Sequence, residues 1–129
     1  MLLLDTCAYL WHFSDPAAMT APARARLAAA DRLGLSLASV WEVAVKVQVG
    51  KLRLDLPVED WVRRSLLHPK IELLPLTPLL VVLSTQLPGT FHKDPFDRAI
   101  VATAIRENLT LVTRDERMLR YSGVKSLAC

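Results

Sequence analysis

The apolar positions of this chain fall into short runs separated by stretches of helical periodicity. Met1 to Leu4 is an apolar run of strand length, and Asp5 with Thr6 follows as the chain leaves the sheet. Helical segments are expected next. Arg24 to Arg32 is rich in alanine and arginine and predicts a helix that ends at Gly34, with a second strand over Leu35 to Leu37. Ser39-Val40-Trp41-Glu42 has the Ser-x-x-Glu spacing of a capping box, and Val40, Val43, Ala44 and Val47 share one face of the helix behind it. Gly50 stops that helix. Pro57 to Leu67 predicts another helix and Ile71 to Leu74 a strand.

The second half continues the alternation. Leu79 to Leu87, after Pro78, reads as a buried helix, and Pro88-Gly89 turns the chain out of it. In Asp94-Pro95-Phe96-Asp97 the first aspartate takes the N-cap, the proline the first helical position and Asp97 the third, with the helix running to about Asn108. A strand over Leu109 to Thr113, a short helix over Asp115 to Tyr121 and a last strand beginning near Val124 complete the order. Strands alternating with helices predict a parallel sheet covered on both faces, because parallel neighbours need a crossover. The expected architecture is α/β, a three-layer α/β/α sandwich with a central parallel sheet.

Composition narrows this further. The 129 residues fit a single domain over 1–129, and 52% hydrophobic residues imply a core on both sides of the sheet or an apolar surface for a partner. No apolar run reaches the roughly 20 residues of a membrane span, and the opening leucines, interrupted by Asp5, do not form a signal peptide, so a cytoplasmic protein without membrane association is expected. Cys7 and Cys129 have no metal-type spacing with the histidines; Cys7 is expected to be a small core residue. A net charge of +3 is compatible with a polyanionic partner without requiring one.

Ligands of such sheets bind outside the carboxyl ends of the strands, where the strand order reverses. Asp5 follows the first strand, Glu42 lies in the first turn of the helix after the second, and Asp115 follows the strand ending at Thr113. Asp94 and Asp97 head a helix facing the same edge. Acids from four separate stretches would repel one another there unless a cation or shared protons relieved them. Carboxylates without a Cys or His set favour a hard ion, Mg²⁺ or Mn²⁺, which can serve phosphodiester hydrolysis. Purely structural readings stand beside this one: Asp94 as a helix cap, Glu42 as half of a capping box, and Asp97 and Asp115 as acids favoured at helix starts. For Asp5 a structural reading is weaker, since a carboxylate on an apolar strand is costly to bury. No Gly-x-Ser-x-Gly elbow accompanies Ser39 and His92, and the four glycines form no phosphate-cradling pattern. A phosphatase or phospho-acceptor site fits less well, because Cys7 stands where a second acid would be needed.

Several motifs, taken together, resemble those of the PIN-domain ribonucleases, and within them the VapC-type toxins of bacterial toxin–antitoxin pairs. They are Leu3-Leu4-Asp5-Thr6, Ser39-Val40-Trp41-Glu42-Val43 with Lys46 and Gly50-Lys51-Leu52, His92-Lys93-Asp94-Pro95-Phe96-Asp97-Arg98, Ala102-Thr103-Ala104 and Leu111-Val112-Thr113-Arg114-Asp115. The resemblance implies a PIN fold and a metal-dependent endoribonuclease with Asp5, Glu42, Asp97 and Asp115 as catalytic and metal-binding acids, and Asp94 as an auxiliary ligand or cap. It further implies an antitoxin partner and a homodimer. Thr6, Ser39 and Thr113 are placed to orient a carboxylate or a water. Lys46, Arg98, Arg114, His92 and Lys93 are candidates for RNA phosphates, with Lys46 and Arg98 foremost. The alternative is a PIN-like domain that binds RNA or protein without cleaving.

Overall fold

A computed structural model describes residues 1–129. The element order is β1 (Leu2–Leu4), α1 (Thr6–Ser14), a 3-10 turn over Pro16–Ala18, α2 (Ala21–Ala29), β2 (Leu33–Ser36), α3 (Leu37–Gln48), α4 (Val58–Leu66), β3 (Ile71–Leu74), α5 (Pro78–Ser84), α6 (Pro95–Arg106), β4 (Thr110–Thr113), α7 (Glu116–Arg120) and β5 (Ser126–Ala128). All strand pairs are parallel, in the order β3-β2-β1-β4-β5. No helix is long and apolar enough to cross a membrane.

The alternation along β1 shows why the sheet needs two covering layers. Leu2 and Leu4 join Leu33, Leu35 and Val112 beneath Tyr9 of α1, Leu27 of α2, Val43 of α3 and Trp61 of α4. Leu3 points the other way, with Leu111, into a core made by Ile100, Val101 and Ala104 of α6 and Met118 of α7. An uninterrupted leucine run is therefore what a central strand with both faces buried requires. The result is the expected three-layer α/β/α sandwich.

Several local expectations change. Gly34 does not end a helix; it lies inside β2, paired with Leu3 and Glu72, and a Cβ there would sit 3.2 Å from both Leu74 Cδ1 and Met1 Sδ. The preceding helix starts earlier, where Thr20 caps the Ala23 amide, and closes at Ala29. The cap of α3 is Ser36, whose hydroxyl accepts from the Ala38 amide at 3.0 Å, so Ser39 and Glu42 lie inside the helix rather than forming its capping box. Finally, α5 is not buried all round: Leu79, Val81 and Val82 are about half exposed, while Leu80 faces the core. The last strand begins at Ser126, two residues beyond the expected start.

The chain builds β1, β2 and β3 on one side and then crosses to β4 on the other side of β1. The reversal thus falls between β1 and β4, and the Asp5 amide donates to the Val112 carbonyl at 3.0 Å across that boundary. That is where a parallel sheet opens a ligand crevice.

Candidate active site

Asp5 leaves β1 as the N-cap of α1 and is almost wholly buried. Its Oδ1 accepts from the Ala8 amide at 2.7 Å and its Oδ2 from the Thr113 hydroxyl at 2.6 Å. Those bonds favour the carboxylate, yet burial outweighs them and, with Glu42 and Asp115 nearby, raises the pKa to about 6. Thr113 also accepts from the Asp115 amide at 3.0 Å, so one hydroxyl at the end of β4 ties two acidic segments together.

Glu42 is one turn further into α3 than the sequence suggested, and buried. Its Oε1 accepts from the Thr6 hydroxyl at 2.5 Å and its Oε2 pairs with Lys46 Nζ at 2.9 Å, one turn along the helix. Burial works against the Lys46 charge, but its bond to Glu42 and the nearby acids prevail and raise its pKa. Ser39 touches no carboxylate directly; its hydroxyl lies 3.3 Å from that of Thr6.

Asp94 caps α6, accepting from the Asp97 amide at 2.9 Å. Asp97 then faces the cavity from the first turn. Burial, followed by repulsion from Asp94, Glu42, Asp115 and Asp5, raises its pKa to about 7. Asp115 caps α7 and is bound by the Arg117 amide and guanidinium, at 2.8 Å and 2.9 Å, which lowers its pKa. The same guanidinium lies 4.0 Å from Asp97 Oδ2.

Asp5, Glu42, Asp94, Asp97 and Asp115 line one cavity of about 440 Å³ together with Lys46, Arg114 and Arg117. Ligand atoms of His92, Asp97 and Asp115 lie within 4.8 Å of one another. His92 accepts from the Asp94 amide through Nδ1, and its Nε2 sits 3.1 Å from Asp97 Oδ2 without the alignment of a hydrogen bond. Burial lowers its pKa, which favours the neutral imidazole. Hard oxygen donors whose joint ionisation is opposed by burial and by one another suit a divalent cation. Asp5 and Glu42 stand outside the tightest set, held instead by hydroxyls and Lys46.

The basic candidates separate by environment. Arg98 is enclosed: its Nε donates to the Ser84 carbonyl at 2.8 Å and its Nη1 to those of Phe91 and His92 at 3.0 Å and 3.1 Å. It clamps the loop before α6 and does not line the acidic cavity. Arg114 stacks 4.2 Å from the centroid of the Trp11 ring and donates to the Ala18 and Cys129 carbonyls. Lys93 lies beyond the cavity, on the neighbouring surface. Cys7, expected in the core, is half-buried on the cavity wall, and burial raises its thiol to about 11, so it offers no thiolate. Arg117 went unforeseen, because its reach to two acids depends on where α7 docks.

The PIN domain family profile matches residues 2–124. Ribonuclease VapC22 of Mycobacterium tuberculosis is 31% identical over 117 residues, covering 91% of this chain and 88% of that protein. Among solved structures, VapBC2 from Rickettsia felis bound to a DNA fragment of its promoter superposes with a TM-score of 0.71 at 17% identity, covering 98% of this chain and 97% of that one. A toxin–antitoxin complex from Klebsiella pneumoniae gives 0.66 at 22% identity, with 98% and 96% covered.

Proposed function

The chain belongs to the PIN-domain family, and from that premise we propose that it is a metal-dependent endoribonuclease, the toxin of a toxin–antitoxin pair, acting through Asp5, Glu42, Asp97 and Asp115. The observation that carries this reading is the burial of mutually repelling carboxylates at the β1–β4 switch point, with Asp97 raised to about 7.

Asp97 and Asp115 hold the metal in this reading, with Asp5 behind them, His92 at the rim and Asp94 mainly as the cap of α6. A bound Mg²⁺ or Mn²⁺ supplies Lewis acidity at the phosphodiester and relieves the repulsion among the acids. Thr113 orients Asp5 and Thr6 orients Glu42, so neither carboxylate needs to reorganise when substrate arrives. Glu42, outside the tight donor set, is placed to accept a proton from the attacking water. Lys46 steadies Glu42 and, being partly exposed, reaches toward substrate phosphate. The 129 residues act as one domain, in the cytoplasm, as a homodimer whose antitoxin covers the acidic cavity; the relatives in toxin–antitoxin complexes support the antitoxin.

Purified protein incubated with total cellular RNA tests this directly. Cleavage is expected with Mg²⁺ or Mn²⁺ and none with EDTA. Asp5→Asn and Asp97→Asn are each expected to lower it by roughly 100-fold or more while the circular dichroism spectrum stays unchanged. Variants with wild-type activity would remove these acids from the mechanism, and RNA binding without cleavage under any metal would favour the non-cleaving alternative.

A further inference from the structure

A second groove, of about 700 Å³, adjoins the acidic cavity and shares Arg117 with it. Its size falls within the roughly 300–1,000 Å³ of small-ligand sites, enough for a nucleotide. The loop Pro88–Lys93 forms one wall and the segment Arg117–Gly123 the other, and no acidic residue lines it.

The charges of the two cavities differ in kind. In the acidic cavity Lys46 is paired with Glu42 and Arg117 with Asp115, while Arg114 is taken up by the Trp11 ring and the Ala18 and Cys129 carbonyls. In the groove, Lys93 and Arg120 are exposed and neither pairs with a carboxylate within 4.0 Å. A negatively charged cleavage centre therefore borders directly on an uncompensated positive groove.

The groove is also braced. The Tyr121 hydroxyl donates to the Pro88 carbonyl and joins the two walls. Arg98 holds the Phe91 and His92 carbonyls from behind. Gly123 lies flat against the Tyr121 ring, where a Cβ would come within 2.6 Å of ring atoms. Two unpaired cations on a braced frame without a lining acid suit a polyanion.

We propose that this groove binds the single-stranded RNA segment flanking the scissile phosphate on one side, with Lys93 and Arg120 on its phosphates. The inference rests on the nuclease reading and extends it to substrate path. Each phosphate contact contributes about 0.7 to the log–log salt slope of single-strand binding, so loss of both cations is expected to reduce that slope by about 1.4.

The test uses an RNA oligonucleotide spanning a cleavage site mapped on cellular RNA, together with versions shortened on the 5′ or the 3′ side. Lys93→Ala/Arg120→Ala is compared with wild type and with Arg26→Ala/Arg64→Ala, which removes the same charge from exposed positions on α2 and α4. For the full-length oligonucleotide the groove variant is expected to raise KM by about 10-fold with kcat within about twofold, the control variant leaving both within about twofold. One of the two truncations is expected to raise KM for wild type but not for the groove variant. A groove variant that matches the control, or that responds to both truncations as wild type does, overturns the proposal while leaving the nuclease intact. A wild type that cuts no RNA overturns the nuclease reading and this inference with it.

Discussion

Thr113 carries more of the site than its size suggests. Its hydroxyl donates to Asp5 and accepts from the Asp115 amide, in a position with no exposure to water. Thr113→Val keeps the shape but deletes the donor, so the Asp5 carboxyl is expected to rise above about 6 and to hold a metal less well. Loss of such a supporting bond commonly costs roughly 10–100-fold in metal affinity. Calorimetric titration with Mn²⁺ measures it, Thr113→Ser should restore binding, and equal affinities for the Val variant and wild type would contradict the role. Asp5, Asp97, Asp115 and this threonine stand where the sequence puts them, at strand ends and in the first turn of a helix, whereas Glu42 lies a turn deeper in α3 than expected. Arg117 and His92 were not legible as neighbours of Asp97, because they approach it from the start of α7 and from a loop, with no shared periodicity.

Among the elements, α6 shows the strength of local signals. Asp94 at the N-cap and Pro95 behind it set its start as expected, since those bonds close within three residues. The start of α3 was misplaced because Ser36 and Ser39 both offer a capping hydroxyl, and only the end of β2 selects the first. The apolar run of α5 likewise does not reveal which side meets α6. Sequence places Arg98 with substrate, whereas the fold encloses it among the carbonyls of Ser84 at the end of α5 and of Phe91 and His92 in the loop ahead of α6. Arg98→Ala is therefore expected to destabilise the protein by about 1–3 kcal/mol, as for charge-assisted bonds, and to open residues 86–93 to protease. Urea unfolding and limited proteolysis check this; a change in RNA affinity alone, with the loop still protected, would return Arg98 to the substrate path.

The whole molecule must accommodate its acidic centre. Asp5 and Asp97 have folded pKa values of about 6 and about 7, against an ordinary 3.8. A group whose folded pKa is raised contributes its full stability below the unfolded value and loses it as pH rises through the folded one. The metal-free protein should thus lose stability between about pH 4 and 7 and level off above. At pH 8 a divalent cation at about 100 times its Kd restores about 2.7 kcal/mol. Melting curves at pH 5 and pH 8, with EDTA and with Mg²⁺, are expected to show a metal-dependent rise in Tm that is larger at pH 8. An equal rise at both values would place the bound cation away from these carboxylates.

The sequence by itself determined the alternation of strands and helices, the two buried faces of β1, the cap of α6 and the places of Asp5, Asp97 and Asp115 after strands or at a helix start. These depend on side-chain periodicity and on hydrogen bonds spanning a few residues. Tertiary structure decided that β4 lies beside β1, and with it that Thr113 meets Asp5 across 108 positions of sequence. It also decided which cations are neutralised and which stay free, because the partner of a long basic side chain is set by where its element docks.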